Sequence, residues 1–130
     1  MKQILQNLRS KSWHVILGAD LFLIGCGLTF YDGYFLFPPF MVTIMNDDIV
    51  GYIGIATGIG LIIWAGRGEW NTKANRWLLV VACSFLACIT SFEALHAFHF
   101  GLPHSLMAFV NDLSLLLYAL NLTYRSKTKD

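Results

Sequence analysis

The chain has 130 residues, of which 56% are hydrophobic and only 13% charged, and its net charge is +1. A water-soluble domain carries roughly 25% charged residues, and so few charges cannot cover this much apolar surface in water. The balance excludes an ordinary soluble domain, and basic residues this sparse, all placed next to apolar runs, exclude a nucleic-acid surface.

The amino terminus is a short basic tail with Lys2, Arg9 and Lys11, and with Ile4, Leu5 and Leu8 at helical spacing. It reads as an interfacial turn or as a frayed end. The first apolar stretch, Trp13–Phe37, contains no Lys or Arg and exceeds the roughly 20 residues a bilayer requires. Trp13 and His14 suit the headgroup level at its start. Leu23-Ile24-Gly25-Cys26 has the form of a bacterial lipobox. Asp20 interrupts the signal core that processing would need, and the apolar run continues through Leu28 and Phe30, so a retained span is expected. Pro38-Pro39 should end it, because proline lacks the amide donor and restricts its predecessor.

The segment Phe35–Met45 is too apolar for a loop in water and is expected in the outer interface or folded back onto the bundle. Asn46, Asp47 and Asp48 place acids where a helix start favours them, opening the second span, Ile49–Ala65. That span covers about 25 Å at ~1.5 Å per residue, enough with slight bilayer thinning. Gly66 and Gly68 close it. The third span, Trp77–Phe100, stops at Gly101 and Pro103, and Ser105 caps the fourth, Ser105–Tyr124. So short a connection makes spans three and four antiparallel neighbours.

All nine Lys and Arg residues fall before the first span, between the second and third, or after the fourth. With four crossings these clusters share one side, which the positive-inside rule makes cytoplasmic. The expected fold is all-α: one four-helix transmembrane domain, an antiparallel bundle with both termini inside, in the cell membrane. Cys26, Cys83 and Cys88 lie within spans without a C-x-x-C pair and read as small apolar residues. Helices in lipid associate through small residues. Gly54 and Gly58 form a GxxxG pair, Gly18 and Gly25 share a face of span one, and Ala87 and Ser91 continue a stripe from Cys83. These stripes serve packing within the chain, or contacts in a parallel homo-oligomer.

Asp20, Glu93 and Asp112 need explaining. A carboxylate at a helix centre costs ~2.5–3.5 kcal/mol on insertion scales and turns inward to a partner or a proton. Helical rise places Glu93 and Asp112 each about 10 Å from the outer end of its span, so the two can meet across adjacent helices. His96 follows Glu93 on the same face. Asp20, Glu93, His96, Asn111 and Asp112 form a candidate intramembrane polar cluster, and His99 and His104 mark the outer face.

Such a cluster orients a bundle, relays protons or cations, or holds a metal or haem. Glu93 and His96 form one Glu-x-x-His copy, where metal-binding bundles use two. No cofactor is expected from the motifs. The residues point to an accessory or interaction protein of the membrane, with another membrane protein as partner. The alternatives are an oligomeric proton or cation channel, a transporter or holin-like permeabilising protein, and a small metal or haem redox protein.

Overall fold

The computed structural model describes residues 1–67, 71–101 and 103–127, apart from the side chains of His104 and Lys127. Within them every regular element is a helix: α1 (Lys2–Ser10), α2 (Ser12–Phe30), α3 (Pro39–Met45), α4 (Asp48–Gly66), α5 (Thr72–Phe100) and α6 (Pro103–Lys127). The helices α2, α4 and α5, with the Ser105–Ser126 part of α6, are long and apolar enough to cross a membrane. The short helices α1 and α3 are additions to that set.

The core is set by which face of each helix carries small or branched residues. Leu17, Gly18, Leu21, Gly25 and Leu28 are the buried positions of α2, spaced by threes and fours and so on one face. They meet the glycine-rich face of α4, where Gly51, Gly54, Gly58 and Leu61 are buried. The contact is backbone on backbone. A methyl added at Gly25 would lie 2.5 Å from the Gly51 carbonyl oxygen and 2.6 Å from the Ile55 amide nitrogen, and one at Gly58 would collide with the Gly18 carbonyl. Close approach of this kind is how helices gain van der Waals contact where lipid removes any hydrophobic drive. The α2–α4 and α5–α6 pairs make the most extensive contacts, α4–α5 makes fewer, and α2 and α6 meet at few points, among them the Tyr118 hydroxyl donating to the Trp13 carbonyl at 3.1 Å.

Several boundaries differ from the sequence expectation. The first span ends at Phe30, not Phe37: Tyr31 caps α2, and Gly33 adopts a left-handed φ of 83°. The apolar residues beyond it fold back. Phe35 is fully buried against Phe92, and both its backbone groups bond the Asn46 side chain, at 2.9 and 2.8 Å. Pro38 and Pro39 open α3 instead of merely ending α2, because proline suits the first helical turn, where its missing N–H has no partner to lose. The amino-terminal tail is helix, with Asn7 donating to the Gly66 carbonyl at 3.3 Å.

The other caps follow simple chemistry. Asp47 accepts from the Ile49 amide and Asn71 from the Ala74 amide, and Gly101 closes α5 in the left-handed conformation. The helix α6 starts at Pro103, so Ser105 lies inside it and is buried. Gly68 lies outside the described residues. Several hydroxyls in the spans bond back along their own helices, as Thr57 to Ile53 and Ser91 to Ala87, which satisfies them without a partner helix.

Candidate functional site

Thr90, Glu93 and His96 lie on the inward face of α5 because the helical repeat puts them in line with the core. Leu86, Ile89, Thr90, Glu93, His96 and Ala97 are all buried in that stripe. Glu93 is 3% exposed and Asp112, on α6, 8%. Both line one cavity of about 380 Å³, with Ile24, Gly27, Leu28 and Tyr31 of the α2 side forming its apolar wall. The two carboxyl groups are near enough for their charges to act on one another. Asn111 donates to Asp112 at 3.4 Å and stands at the cavity edge, itself exposed.

Tyr34, beyond the end of α2, closes the top of this space. Its hydroxyl donates to the Glu93 carboxylate. Burial, that bond, and the neighbouring Glu93 and Asp112 charges hold the phenol above the ordinary tyrosine range. Tyr34 and Glu93 also line a smaller cavity of about 110 Å³ with Phe35, His96, Ser105 and Ala108. Neither cavity has a Lys or Arg among its described lining residues.

The sequence-predicted residues therefore divide. Glu93, Asp112 and Asn111 come together at one cavity, and His96 reaches the adjoining one. Asp20 is half-buried outside both, within electrostatic reach of Tyr118. Its neighbours on the helix stripe, Ile24, Gly27 and Tyr31, are the ones that line the acid cavity. His99 is exposed and stacks on Phe37 at 3.9 Å between ring centres, while the His104 side chain lies outside the described residues. Gly54 and Gly58 sit in the α2–α4 contact, whereas Ala87 is half-buried and Ser91 exposed, aside from the inward stripe of α5. Among the described residues no three His, Cys, Asp or Glu side chains gather closely enough to hold a metal.

Sequence reasoning missed Tyr34, Tyr31 and Ser105. Tyr34 sits in the apolar connection, where nothing in the pattern said which ring would turn inward. Ser105 stands where a cap is expected, and only the start at Pro103 turns it into a cavity wall.

At the opposite end of the helices, a second polar region surrounds Lys11. Its ammonium donates to the Arg67 carbonyl at 3.2 Å and lies 4.2 Å from the centre of the Trp64 ring. Burial lowers its pKa. Between the two polar ends lies an apolar layer in which Leu17, Leu21, Leu61, Leu79 and Leu86 are completely buried. Comparison with protein-family models, curated proteins and solved structures finds no match to this chain.

Proposed function

We propose that this is a multi-pass protein of the cell membrane that works by interaction, holding a basic residue of a partner's membrane helix at the Glu93–Asp112 cavity. Its four spans form an antiparallel bundle with both termini cytoplasmic. The opposed pairing of Gly18 with Gly58 and Gly25 with Gly51, and the one-sided distribution of Lys and Arg, support that arrangement.

The observation that carries the reading is that two buried carboxyl groups from different helices share one cavity with no Lys or Arg among its described lining residues. Each carboxylate, and the Lys or Arg of a partner, costs ~2.5–3.5 kcal/mol at a helix centre when alone. Pairing offsets both costs, so the acids form an attachment point suited to a cationic partner. The sparse α2–α6 seam beside the cavity gives a neighbouring helix a lateral way in. The buried leucine layer below the cavity favours holding a ligand over passing one through.

Co-reconstitution in liposomes with a labelled Leu/Ala-rich transmembrane peptide tests this. A peptide with a central Lys should associate roughly ten-fold more tightly than its Gln counterpart. The preference should vanish in Glu93→Gln/Asp112→Asn. Equal binding of both peptides to the native chain would refute the proposal.

A second reading, proton or cation permeation, draws on Asp20 and Tyr118, which continue the polar groups along α2 and α6. Flux across the same liposomes, abolished in the acid variants, would favour it instead.

A further inference from the structure

The bundle leaves the amino-terminal helix α1 uncovered, and none of its residues is buried. It is nonetheless held in one orientation. Ile4 and Leu8, one turn apart, both approach Gly66 at the end of α4, 3.7 and 3.6 Å from where a methyl on that glycine would lie. Asn7 donates to the Gly66 carbonyl at 3.3 Å, and Lys11 to that of Arg67 at 3.2 Å. Two residues a turn apart against one end residue mean that α1 crosses the end of α4 sideways. Its contact with α2 is slight, so it does not run back along the first span.

The sides of α1 that this docking leaves outward are unlike. Met1, 96% exposed, and Leu5, 62% exposed, extend the apolar strip of Ile4 and Leu8 away from the bundle. Leu5 lies three residues after Lys2 and four before Arg9, so an exposed cation stands at each end of it on one ridge. Gln3, Gln6 and Ser10 occupy the opposite side and are exposed. Residues 1–19 contain no Asp or Glu. Trp13, at the adjoining start of α2, is exposed and suits the headgroup level. A leucine between two cations, on a helix laid across a bundle end at that level, matches the surface of an interfacial helix. The apolar groups and the long cationic stems enter the acyl boundary there, and the charges stay among the headgroups.

We infer that α1 docks on an anionic lipid surface, with Met1 and Leu5 in the acyl boundary and Lys2 and Arg9 among the phosphates of the adjoining leaflet. Charge selects this occupant. A zwitterionic leaflet accepts the apolar ridge but offers its cations no net field, whereas an anionic leaflet attracts each of them. The glutamine side then faces water. The inference rests on the reading that the four long helices cross a bilayer, and it is independent of the partner proposed for the acid cavity.

The test uses the full chain with Cys26, Cys83 and Cys88 replaced by Ala, reconstituted in phosphatidylcholine vesicles with or without phosphatidylglycerol. A spin label is placed in turn at Leu5→Cys, Gln6→Cys and Leu23→Cys, and its relaxation by oxygen is compared with that by a water-soluble nickel chelate. In the anionic vesicles the label at position 5 should meet oxygen and that at position 6 the chelate. Lys2→Gln/Arg9→Gln should lower the docked-to-free ratio at position 5 roughly thirty-fold there, and leave it unchanged in phosphatidylcholine. Arg67→Gln/Lys73→Gln removes equal charge off the ridge and should shift the ratio by less than about three-fold. Equal loss in the two double variants would overturn the assignment to α1, and equal docking in both lipids would overturn the anionic partner. Shielding of position 5 from both relaxants, with broadening between labels, would show a second copy on this face and overturn the lipid. Position 23, exposed on α2, separates the two readings. Chelate contact at position 5 alone sinks this inference, whereas chelate contact at position 23 sinks the membrane-spanning reading with it.

Discussion

The contact between α2 and α4 and the seam between α2 and α6 use two sides of one helix in opposite ways. Gly18 and Gly25 let the α4 backbone approach until no added methyl fits. A few residues on, Gly27 meets nothing within 4 Å and borders the acid cavity. A glycine in a membrane helix is therefore not evidence of packing by itself. It marks contact where its neighbours bring backbone to it, and open volume where the neighbouring helix stands off. One side of α2 is fixed, and the other is left for something to enter.

The sharpest way to break this contrast is to close the fixed side. Gly58→Leu must displace backbone, since its Cβ would run into the Gly18 carbonyl and lie 2.7 Å from the Phe22 amide nitrogen. Overpacking typically costs about 1–3 kcal/mol, and this substitution should sit at or above the top of that range. Titration from mild detergent into denaturing detergent, followed by circular dichroism, measures it. A loss below about 1 kcal/mol would mean that the α2–α4 contact is looser than described.

Next in size is the clamp that folds the α2–α3 connection back. Asn46→Ala removes the partner of both Phe35 backbone groups. Leaving such groups unsatisfied costs about 1–3 kcal/mol each when fully buried, and about 2 kcal/mol in all is expected at this half-buried site. Faster amide exchange at Phe35 should accompany the loss, while the α2–α4 glycines stay protected.

Tyr34→Phe tests the open side, at about 1 kcal/mol for one hydrogen bond. Its phenol pKa is raised, so the hydroxyl adds stability in full below the unfolded value of about 10 and loses it as pH rises through the folded value. Stability of the native chain should fall above about pH 10 more steeply than that of the Phe variant. Parallel curves would deny the Tyr34–Glu93 bond.

What was legible in the sequence follows the same division. Apolar length locates the four long helices, because a bilayer-spanning run leaves little freedom. It could not say that α2 stops at Phe30, since Phe35 and Phe37 are as apolar as the residues before them, and the reversal depends on Gly33 and on the Asn46 side chain eleven residues from Phe35. Helical rise puts Glu93 and Asp112 at similar distances from their span ends, and the two line one cavity. It could not choose which aromatic ring would meet them, because Tyr31 and Tyr34 are distinguished only by the turn between them. The polar region around Lys11 was equally hidden: Lys11, Asn75 and Ser126 come together there from three distant segments, and no local pattern joins them.

The smallest expected effect is also the most discriminating. Gly27→Ala adds a methyl where nothing lies within 4 Å, so stability should change by no more than about 0.5 kcal/mol, in line with substitutions that touch nothing. Gly27→Leu goes further: it fills part of the acid cavity, again without striking backbone, and keeps Glu93 and Asp112 in place. If the cavity is where a cationic helix is held, the Lys peptide should lose its advantage over the Gln peptide in Gly27→Leu while the fold survives. If binding persists, the acids act from outside the cavity, and the open side of α2 has no role in recognition. Charge and volume are thereby separated, since the acid variants remove the first and leave the second, and Gly27→Leu does the reverse.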